Sequence, residues 1–495
     1  MPDALVVQTA AGPVRGLRQG PVCAWLGVPF ARPPVGPLRF RAPQPPDPWT
    51  AVRNATRYGP SSLQVPLLPG LPKPFFPSVE PSSEDCLYLN VWSPAADGAK
   101  RPVLFWIHGG GYAKGTSRYY NGAEYAGKGD MVVVTVNYRL GLLGFGNLAG
   151  LFDDDRFAHN PGLLDQVVAL KWVRENIERF GGDPGRVTIA GESAGAGSAS
   201  LLMLMKETAG LFHGAIHQSG APNQATTWGV SLEIARQFTK LLGIGRDNRD
   251  RLWTLPPADL LKAQVSLNRV RPENFNTCPY MDGQLFPANS QEFSNLQSHP
   301  VPLLTGTNAD EYTLFTLPGL KRVAQTRAGI LNSLNKNYSG ATLDRLLAEY
   351  PDNPAGTMDL GCDKIFRIPS EHFAERHSAH SPTWRYRFEY SDHLFKKRLG
   401  AFHALELLFT WPSIKSEKFR TIFYGKERLP RVDALADRMK RHWISFIREG
   451  CPESNWPEYN TFTHTNYIFN LTDSLANDPE SARRKAWEGI NILQF

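Results

Sequence analysis

The chain has 495 residues and a mass of 55.2 kDa, with 42% hydrophobic and 20% charged residues and a formal net charge of +7. This composition excludes a disordered or fibrous protein, and no apolar run approaches the ~20 residues that a membrane-spanning helix needs. The basic residues are spread along the chain in short runs such as 396–398, so we expect no nucleic-acid partner.

Short apolar runs bounded by glycine, proline or charge predict buried strands at Val103–Ile107, Met131–Val136, Val187–Ala190 and Val301–Leu304. Apolar residues at helical spacing predict a helix over Leu163–Phe180, which Gly181 and Gly182 terminate. Alternating aromatic and charged residues at Trp384–Tyr390 predict a half-buried strand. A strand, helix, strand order favours parallel pairing, so we expect an α/β fold with a long, mostly parallel sheet flanked by helices.

The chain has no linker and no internal repeat, which predicts a single domain over residues 1–495. Amphipathic stretches predict helical insertions that cap the sheet, roughly at 231–298 and 318–398. The proline-rich segment Pro60–Pro81 is too broken for a helix; it is either an exposed rim over a cleft or a packing segment.

The five cysteines are an odd number, widely spaced and without zinc-ligand spacing. The first ten residues lack the pattern of a secretory signal. We therefore expect inert thiols and a cytoplasmic protein. No sequence motif for a metal or a phosphate-bearing cofactor is present, so none is expected.

The pentapeptide Gly191-Glu192-Ser193-Ala194-Gly195 directly follows a predicted strand. Glycines at its ends permit a sharp strand-to-helix turn that exposes the serine hydroxyl at the carboxyl end of the sheet. The sequence therefore predicts Ser193 as a nucleophile.

A second glycine motif, His108-Gly109-Gly110-Gly111, follows the predicted strand Val103–Ile107. Consecutive glycines let backbone N–H groups face a ligand without obstruction, as in an oxyanion hole. We expect the N–H groups of Gly110 and Gly111, joined by that of Ala194, to bind the charge that develops on a carbonyl oxygen. A histidine and a carboxylate must complete such a site, but with twelve histidines in the chain the motifs alone do not select them.

The sequence resembles the type-B carboxylesterases of the α/β-hydrolase superfamily, which include the cholinesterases and the bacterial p-nitrobenzyl esterases. The resemblance runs from near the N-terminus to about Trp411. Besides the two glycine motifs, it is carried by the segments Leu26–Ala31, Pro33–Gly36, Ser83–Asn90, Asn137–Gly141 and Phe180–Pro184. It implies an α/β-hydrolase fold with helical cap insertions, and a serine esterase that needs no cofactor.

The resemblance also implies roles for individual residues. In Thr307–Glu311 the acid is Glu311, with its neighbour Asp310 as the alternative, and in Gly400–Glu406 the base is His403. Further residues are implied by their family positions: Glu192, Ser219 and Glu406 as a buried polar network, Arg39 with Glu84 and Arg139 with Asp165 as ion pairs, and Tyr112, Trp228, Leu314 and Phe315 as pocket walls.

This sequence departs from the family pattern at three places. Secreted relatives pair the cysteine at Cys86 with an earlier one, but residues 58–64 contain no cysteine. Phe76 stands near the position where cholinesterases carry a tryptophan for quaternary ammonium, so acetylcholine is not the expected substrate. Ala404 stands where a glycine commonly follows the histidine.

Together these observations predict a serine carboxylesterase that acts on small, neutral, moderately hydrophobic esters, with His403 titrating near pH 6–7 as the base. Three alternatives remain: an enzyme of the same fold specialised for carbamate, amide or polyester bonds; a lipase with Pro60–Pro81 as its lid; and a non-catalytic adhesion module, which the intact catalytic residues disfavour. The oligomeric state is open.

Overall fold

The protein is described from a computed structural model, which covers residues 5–64, 79–271, 276–317, 323–334, 338–411, 414 and 416–491. Phe76 and most of the predicted loop Pro60–Pro81 lie outside these residues.

The strands have the following bounds: β1 Val6–Gln8, β2 Pro13–Arg15, β3 Leu17–Gln19, β4 Val22–Pro29, β5 Arg53–Asn54, β6 Ser61–Ser62, β7 Ser82–Ser83, β8 Tyr88–Ser93, β9 Arg101–Ile107, β10 Val132–Val136, β11 Gly182–Glu192, β12 Gly214–Gln218, β13 Leu303–Asn308, β14 Thr383–Phe388, β15 Thr465–Phe469 and β16 Ser474–Asn477. The helices have the following bounds: α1 Ala123–Gly129, α2 Gly141–Phe145, α3 Leu148–Phe152, α4 Pro161–Asn176, α5 Ala194–Leu202, α6 Trp228–Leu241, α7 Pro257–Val270, α8 Ser290–Ser294, α9 Arg327–Leu334, α10 Ala341–Ala348, α11 Pro354–Cys362, α12 Ile368–Ser378, α13 Lys396–Leu399, α14 Leu407–Thr410, α15 Glu417–Tyr424, α16 Leu429–Glu449 and α17 Ser481–Ala486.

A single 11-stranded sheet organises the molecule, in the order β16-β15-β14-β13-β12-β11-β9-β10-β8-β4-β3. Its strands run parallel from β10 to β15, and antiparallel pairs form both edges. All five residues of β10 are buried, as expected for a parallel strand covered on both faces. The predicted α/β fold with a long, mostly parallel sheet is confirmed.

Two large apolar cores cover the two faces of this sheet. One includes Leu163 and Leu170 of α4 and Leu201 of α5, and the other includes Leu435 and Met439 of α16. Because β9, β11 and β13 run parallel in this sheet, their carboxyl ends lie at the same edge of it.

The predicted elements differ from the observed ones at their ends, and two of these differences have a clear physical reason. The predicted helix Leu163–Phe180 is α4 followed by a 3-10 turn, Ile177–Phe180, and it stops at Gly181, which has φ 85°. The predicted strand Val301–Leu304 begins only at Leu303, because Pro302 has no N–H to donate to a neighbouring strand.

The helical insertions lie between consecutive strands of the sheet. Helices α6 to α8 connect β12 to β13, and α9 to α12 connect β13 to β14. The predicted second insertion, 318–398, runs too far, because its residues 383–388 pair with β13 as the sheet strand β14. Each insertion contributes to a small apolar core of its own.

Among the described residues, no helix is long and apolar enough to cross a membrane. All five cysteines are free thiols, and Cys86 is fully buried. The ion pairs implied for Arg39 with Glu84 and for Arg139 with Asp165 are present, at 2.6 Å and 2.7 Å.

Candidate active site

Ser193 lies in a sharp turn between β11 and α5, at the carboxyl end of the sheet. Its backbone angles, φ 54° and ψ −123°, fall outside the helix and strand regions, and its N–H donates to the Gln218 carbonyl at 2.8 Å. The flanking glycines permit this turn, because a Cβ on Gly191 or Gly195 would lie 2.3 Å or 2.0 Å from backbone atoms. The surrounding chain therefore holds the partly buried serine in a strained backbone geometry.

His403 connects Ser193 to a buried acid. Its Nε2 atom lies 2.8 Å from Ser193 Oγ, and its Nδ1 atom lies 2.6 Å from Glu311 Oε2. The second carboxylate oxygen of Glu311 accepts a hydrogen bond from the Asn308 N–H at 2.8 Å. Because a carboxylate only accepts, Nδ1 carries the proton and Nε2 is free to take one from the serine. The structure thus brings the three residues predicted as catalytic into hydrogen-bond contact.

Asp310, the alternative acid, has a different position. Its Oδ2 atom accepts the Ala401 N–H at 2.7 Å, and a Cβ on Gly400 would lie 2.2 Å from that oxygen. Asp310 therefore anchors the loop that carries His403, and among the described contacts it is Glu311 that binds the imidazole.

The glycine loop after β9 lies beside this turn, because β9 and β11 are neighbours in the sheet. Gly110 and Gly111 have φ 115° and 62°, and the Gly110 carbonyl accepts the N–H groups of Ala113 and Lys114 at 3.2 Å and 3.1 Å. Since a peptide unit is planar, this holds the Gly111 N–H in a fixed direction. Ala194 is the first residue of α5, so its N–H has no acceptor within that helix.

His108 fixes the peptide unit between Gly109 and Gly110. The glycine motif alone did not reveal this role. Its Nδ1 atom donates to the Gly109 carbonyl at 2.9 Å, which orients the Gly110 N–H on the same unit. The ring stacks on Tyr138 at 4.6 Å, and burial lowers the pKa of His108 to about 4, so the ring is neutral. A Cβ on Gly115 would lie 2.4 Å from the His108 ring, so glycine is required there.

Carboxylates surround the imidazole of His403. Burial by itself would lower its pKa, but the negative charges of Glu311 and Glu192 outweigh burial and raise the pKa of His403 to about 9. This value is higher than the pH 6–7 expected from the sequence. Glu192 Oε1 lies 3.3 Å from His403 Nε2, and burial raises the pKa of the Glu192 carboxyl to about 8.

The remaining members of the implied polar network, Ser219 and Glu406, are fully buried. Glu406 accepts hydrogen bonds from Gln218 Nε2 at 3.3 Å and from Asn308 Nδ2, and burial raises its pKa to about 7. Ser219 Oγ has no hydrogen-bond partner among the described residues. Among the described residues, no hydrogen bond links any two of Glu192, Ser219 and Glu406 directly.

The implied pocket residues do not form one wall. Phe315 is half-buried with its ring 5.3 Å from that of His403, and Leu314 is half-buried beside it in the chain. Trp228 begins α6 and lies near His159, with ring centres 5.7 Å apart. Phe315 is thus the implied wall residue whose ring lies against His403.

Tyr112 requires a correction, since its side chain is only 1% exposed. It packs in the core against Phe145, with ring centres 5.0 Å apart, because its φ of 55° turns the chain after the glycine loop. Phe76, the other predicted pocket residue, lies outside the described residues.

Phe366 was not found by sequence analysis. It lies in a π-helical turn, Asp363–Arg367, between α11 and α12. Its ring centre is 4.6 Å from that of His403 and 5.8 Å from that of Phe315, on which it stacks. Single π-helical turns are frequent at functional sites, but no composition rule locates them.

An ion-pair network holds this turn. Arg367 contacts Asp363 at 2.8 Å and Glu371 at 3.2 Å, and all three side chains are nearly fully buried. Arg367 also lies 3.2 Å from Glu480, the residue before α17. The turn that places Phe366 next to His403 is thereby connected to the start of α17.

One group of side chains has metal-ligand types, namely Glu371, Glu375 and His464, whose ligand atoms lie within 4.8 Å of one another. Arg385 approaches Glu371 to 3.0 Å, and Arg484 approaches Glu375 to 3.7 Å. These guanidinium groups already neutralise the carboxylates, so the group does not fit a cation.

Comparisons with known proteins match nearly the whole chain. Residues 3–487 match the model of the carboxylesterase family. The sequence is 36% identical to the para-nitrobenzyl esterase of Bacillus subtilis, over 97% of this chain and 98% of that protein. It is 31% identical to human cocaine esterase, over 96% of this chain and 88% of that protein.

The fold is likewise similar to solved structures. A para-nitrobenzyl esterase structure superposes with a TM-score of 0.89 and 35% identity, covering 98% of this chain and 99% of that one. A carboxylesterase of Geobacillus stearothermophilus gives a TM-score of 0.83 at 35% identity, covering 98% and 100%.

Proposed function

Because the chain belongs to the carboxylesterase family, we propose that its hydrolysis of carboxylic esters proceeds through an acyl-enzyme on Ser193, with His403 as the base and Glu311 as the orienting acid. The observation that carries this assignment is the chain of hydrogen bonds of 2.8 Å and 2.6 Å through the two nitrogens of His403. A serine hydroxyl becomes a nucleophile only when a neighbouring imidazole takes its proton.

In the first half-reaction, Ser193 Oγ attacks the ester carbonyl while His403 Nε2 takes the hydroxyl proton. The carbonyl oxygen becomes negative, and the N–H groups of Gly110, Gly111 and Ala194 stabilise it. His403 then protonates the departing alcohol, and the acyl group remains on Ser193.

In the second half-reaction, water replaces the alcohol. His403 takes a proton from the water, which attacks the acyl carbonyl, and the same three N–H groups bind the second oxyanion. The proton returns to Ser193 Oγ and the carboxylic acid leaves. Glu311 accepts the hydrogen bond from Nδ1 throughout and stabilises the imidazolium that forms in each step.

The proposed substrates are neutral, moderately hydrophobic esters. The half-buried ring of Phe315 beside His403 supports this class, because it offers an apolar surface next to the reacting groups, and the buried ring of Phe366 stacks behind it. The names of the relatives, para-nitrobenzyl esterase and cocaine esterase, point to aromatic esters as suitable test substrates.

The test is hydrolysis of p-nitrophenyl butyrate and a p-nitrobenzyl ester by the wild type and by Ser193→Ala, with folding checked by circular dichroism. We expect the variant to lose a factor of about 10⁴ or more in kcat. A folded Ser193→Ala enzyme that keeps wild-type turnover would overturn the assignment. Matched carbamate and amide substrates would separate an esterase from an enzyme specialised for those bonds.

We also propose that the protein works in the reducing cytoplasm. The proposal is supported by its five free thiols, of which Cys23, Cys86 and Cys362 are buried. Subcellular fractionation of the native host would test it, and recovery in a secreted fraction would contradict it.

A further inference from the structure

Two neighbouring surface segments expose apolar side chains close to the loop that carries His403. Leu394, Phe395 and Ile422 are 61%, 40% and 59% exposed. The segments touch, because the Leu394 N–H donates to the Phe423 carbonyl at 2.8 Å and the Phe395 and Phe423 rings lie 6.1 Å apart. The three exposed side chains thus belong to one surface.

This surface is also basic. Residues 392–398 and 416–428 contain seven lysines or arginines but only three acidic residues. Lys396 and Arg428 are paired with Asp392. The cations Lys397, Arg398 and Lys418 are exposed, and none of them has an ion pair among the described residues. The basic apolar patch is defined here as Leu394, Phe395, Ile422, Lys397, Arg398 and Lys418.

We propose that the basic apolar patch docks the protein on the surface of an anionic lipid bilayer. Apolar side chains at a surface insert at the boundary between headgroups and acyl chains, and neighbouring lysines and arginines bind anionic headgroups. Charge complementarity excludes a neutral bilayer as the preferred surface. A nucleic acid would satisfy the cations but not the three exposed apolar groups.

The basic apolar patch lies next to the loop that carries His403. His393 connects the two, because its Nε2 atom contacts the Gly400 carbonyl at 2.8 Å and its ring packs between Phe402 and Phe423, at 5.4 Å and 4.7 Å. Phe402 directly precedes His403. Docking through the patch would therefore bring the catalytic loop close to esters dissolved in the bilayer.

Co-sedimentation with vesicles of phosphatidylcholine alone, or of phosphatidylcholine with phosphatidylglycerol, tests the proposal. We expect binding to the anionic vesicles, weakened at high salt, because exposed charges are screened. The double variant Lys397→Gln/Arg398→Gln should bind about 30-fold more weakly, given the usual contribution of each cation near an anionic surface. Leu394→Ser/Ile422→Ser should weaken binding to a similar extent.

Two control variants lie elsewhere on the surface. Lys171→Gln/Arg174→Gln removes the same charge from exposed positions of α4, and Phe462→Ser removes a side chain that is 95% exposed. Both should bind like the wild type, and all four variants should hydrolyse a soluble ester normally. Equal binding to neutral vesicles, no binding, or equal loss in patch and control variants would overturn the proposal. Measuring binding with Ser193→Ala as well separates this outcome from any failure of the proposed catalytic mechanism.

Discussion

The Oε1 atom of Glu192 lies 3.3 Å from Nε2 of His403, so the imidazole has a carboxylate beside each of its nitrogens. An imidazolium is favoured by both charges, and the pKa of His403 is raised to about 9 despite the opposing effect of burial. The base must be neutral to act, so the fraction of active enzyme increases as the pH rises towards the pKa of His403.

Glu192→Gln should shift the pH profile of kcat/KM. Removing the charge destabilises the imidazolium, so the pKa of His403 falls and the rising limb moves to lower pH. Profiles between pH 5 and 10 on one soluble ester would measure the shift. If the limb stays in place, or moves to higher pH, Glu192 does not act on the base in this way.

His108→Phe should lower kcat roughly 10- to 100-fold with little change in KM, because the ring keeps its packing on Tyr138 but no longer holds the Gly109 carbonyl. His108→Asn offers a side-chain N–H at a similar place and should recover part of the loss. Equal kcat values for the two variants would contradict a role for the donor.

Phe315→Ala should change the ratio of kcat/KM for long and short acyl chains by about tenfold in favour of long ones, because space opens beside His403. Trp228→Ala is the matched control, since its ring lies near His159 instead. A change of the same size in both variants would remove Phe315 from the acyl-binding wall.

Asp165→Asn should destabilise the protein by about 3–5 kcal/mol, because it leaves the buried guanidinium of Arg139 without its countercharge. Asp47→Asn breaks the exposed pair with Arg32 and should cost about 1 kcal/mol or less. Urea unfolding of the two variants gives both values, and similar losses would contradict the distinction.

Ala404→Gly should stabilise the fold by up to about 1 kcal/mol, because Ala404 has φ 66°, a conformation that suits glycine. The same change at Ala401, which is fully buried and has no positive φ, should be destabilising. Thermal unfolding would compare them. This backbone angle also gives a physical reason for the glycine common at that position.

The turn that carries Ser193 could be predicted from the sequence because its signal is local. A strand, a tight glycine turn and a helix follow one another in the chain, so the prediction of Ser193 as the nucleophile needed no distant contact. Glu311 and His403 could not be selected in this way, since 210 residues separate Ser193 from His403. Only the resemblance to a family identified them.

The pocket was predicted least well, for two physical reasons. Tyr112 has a positive φ and a fully buried side chain, and its residue type reveals neither property. Phe366 reaches His403 through a π-helical turn, which shifts the side-chain directions of a helix by an amount that hydrophobic spacing does not encode.

The contact between Arg367 and Glu480 has a consequence for the length of chain that a working enzyme needs. All the side chains proposed as catalytic lie before residue 404, yet the turn that carries Phe366 is held by Glu480, far beyond them in the chain. A chain cut just before Glu480 would retain the nucleophile, base and acid but lose a support of the wall beside them. We therefore expect truncation at this point to change the substrate preference more than the rate of acyl transfer itself.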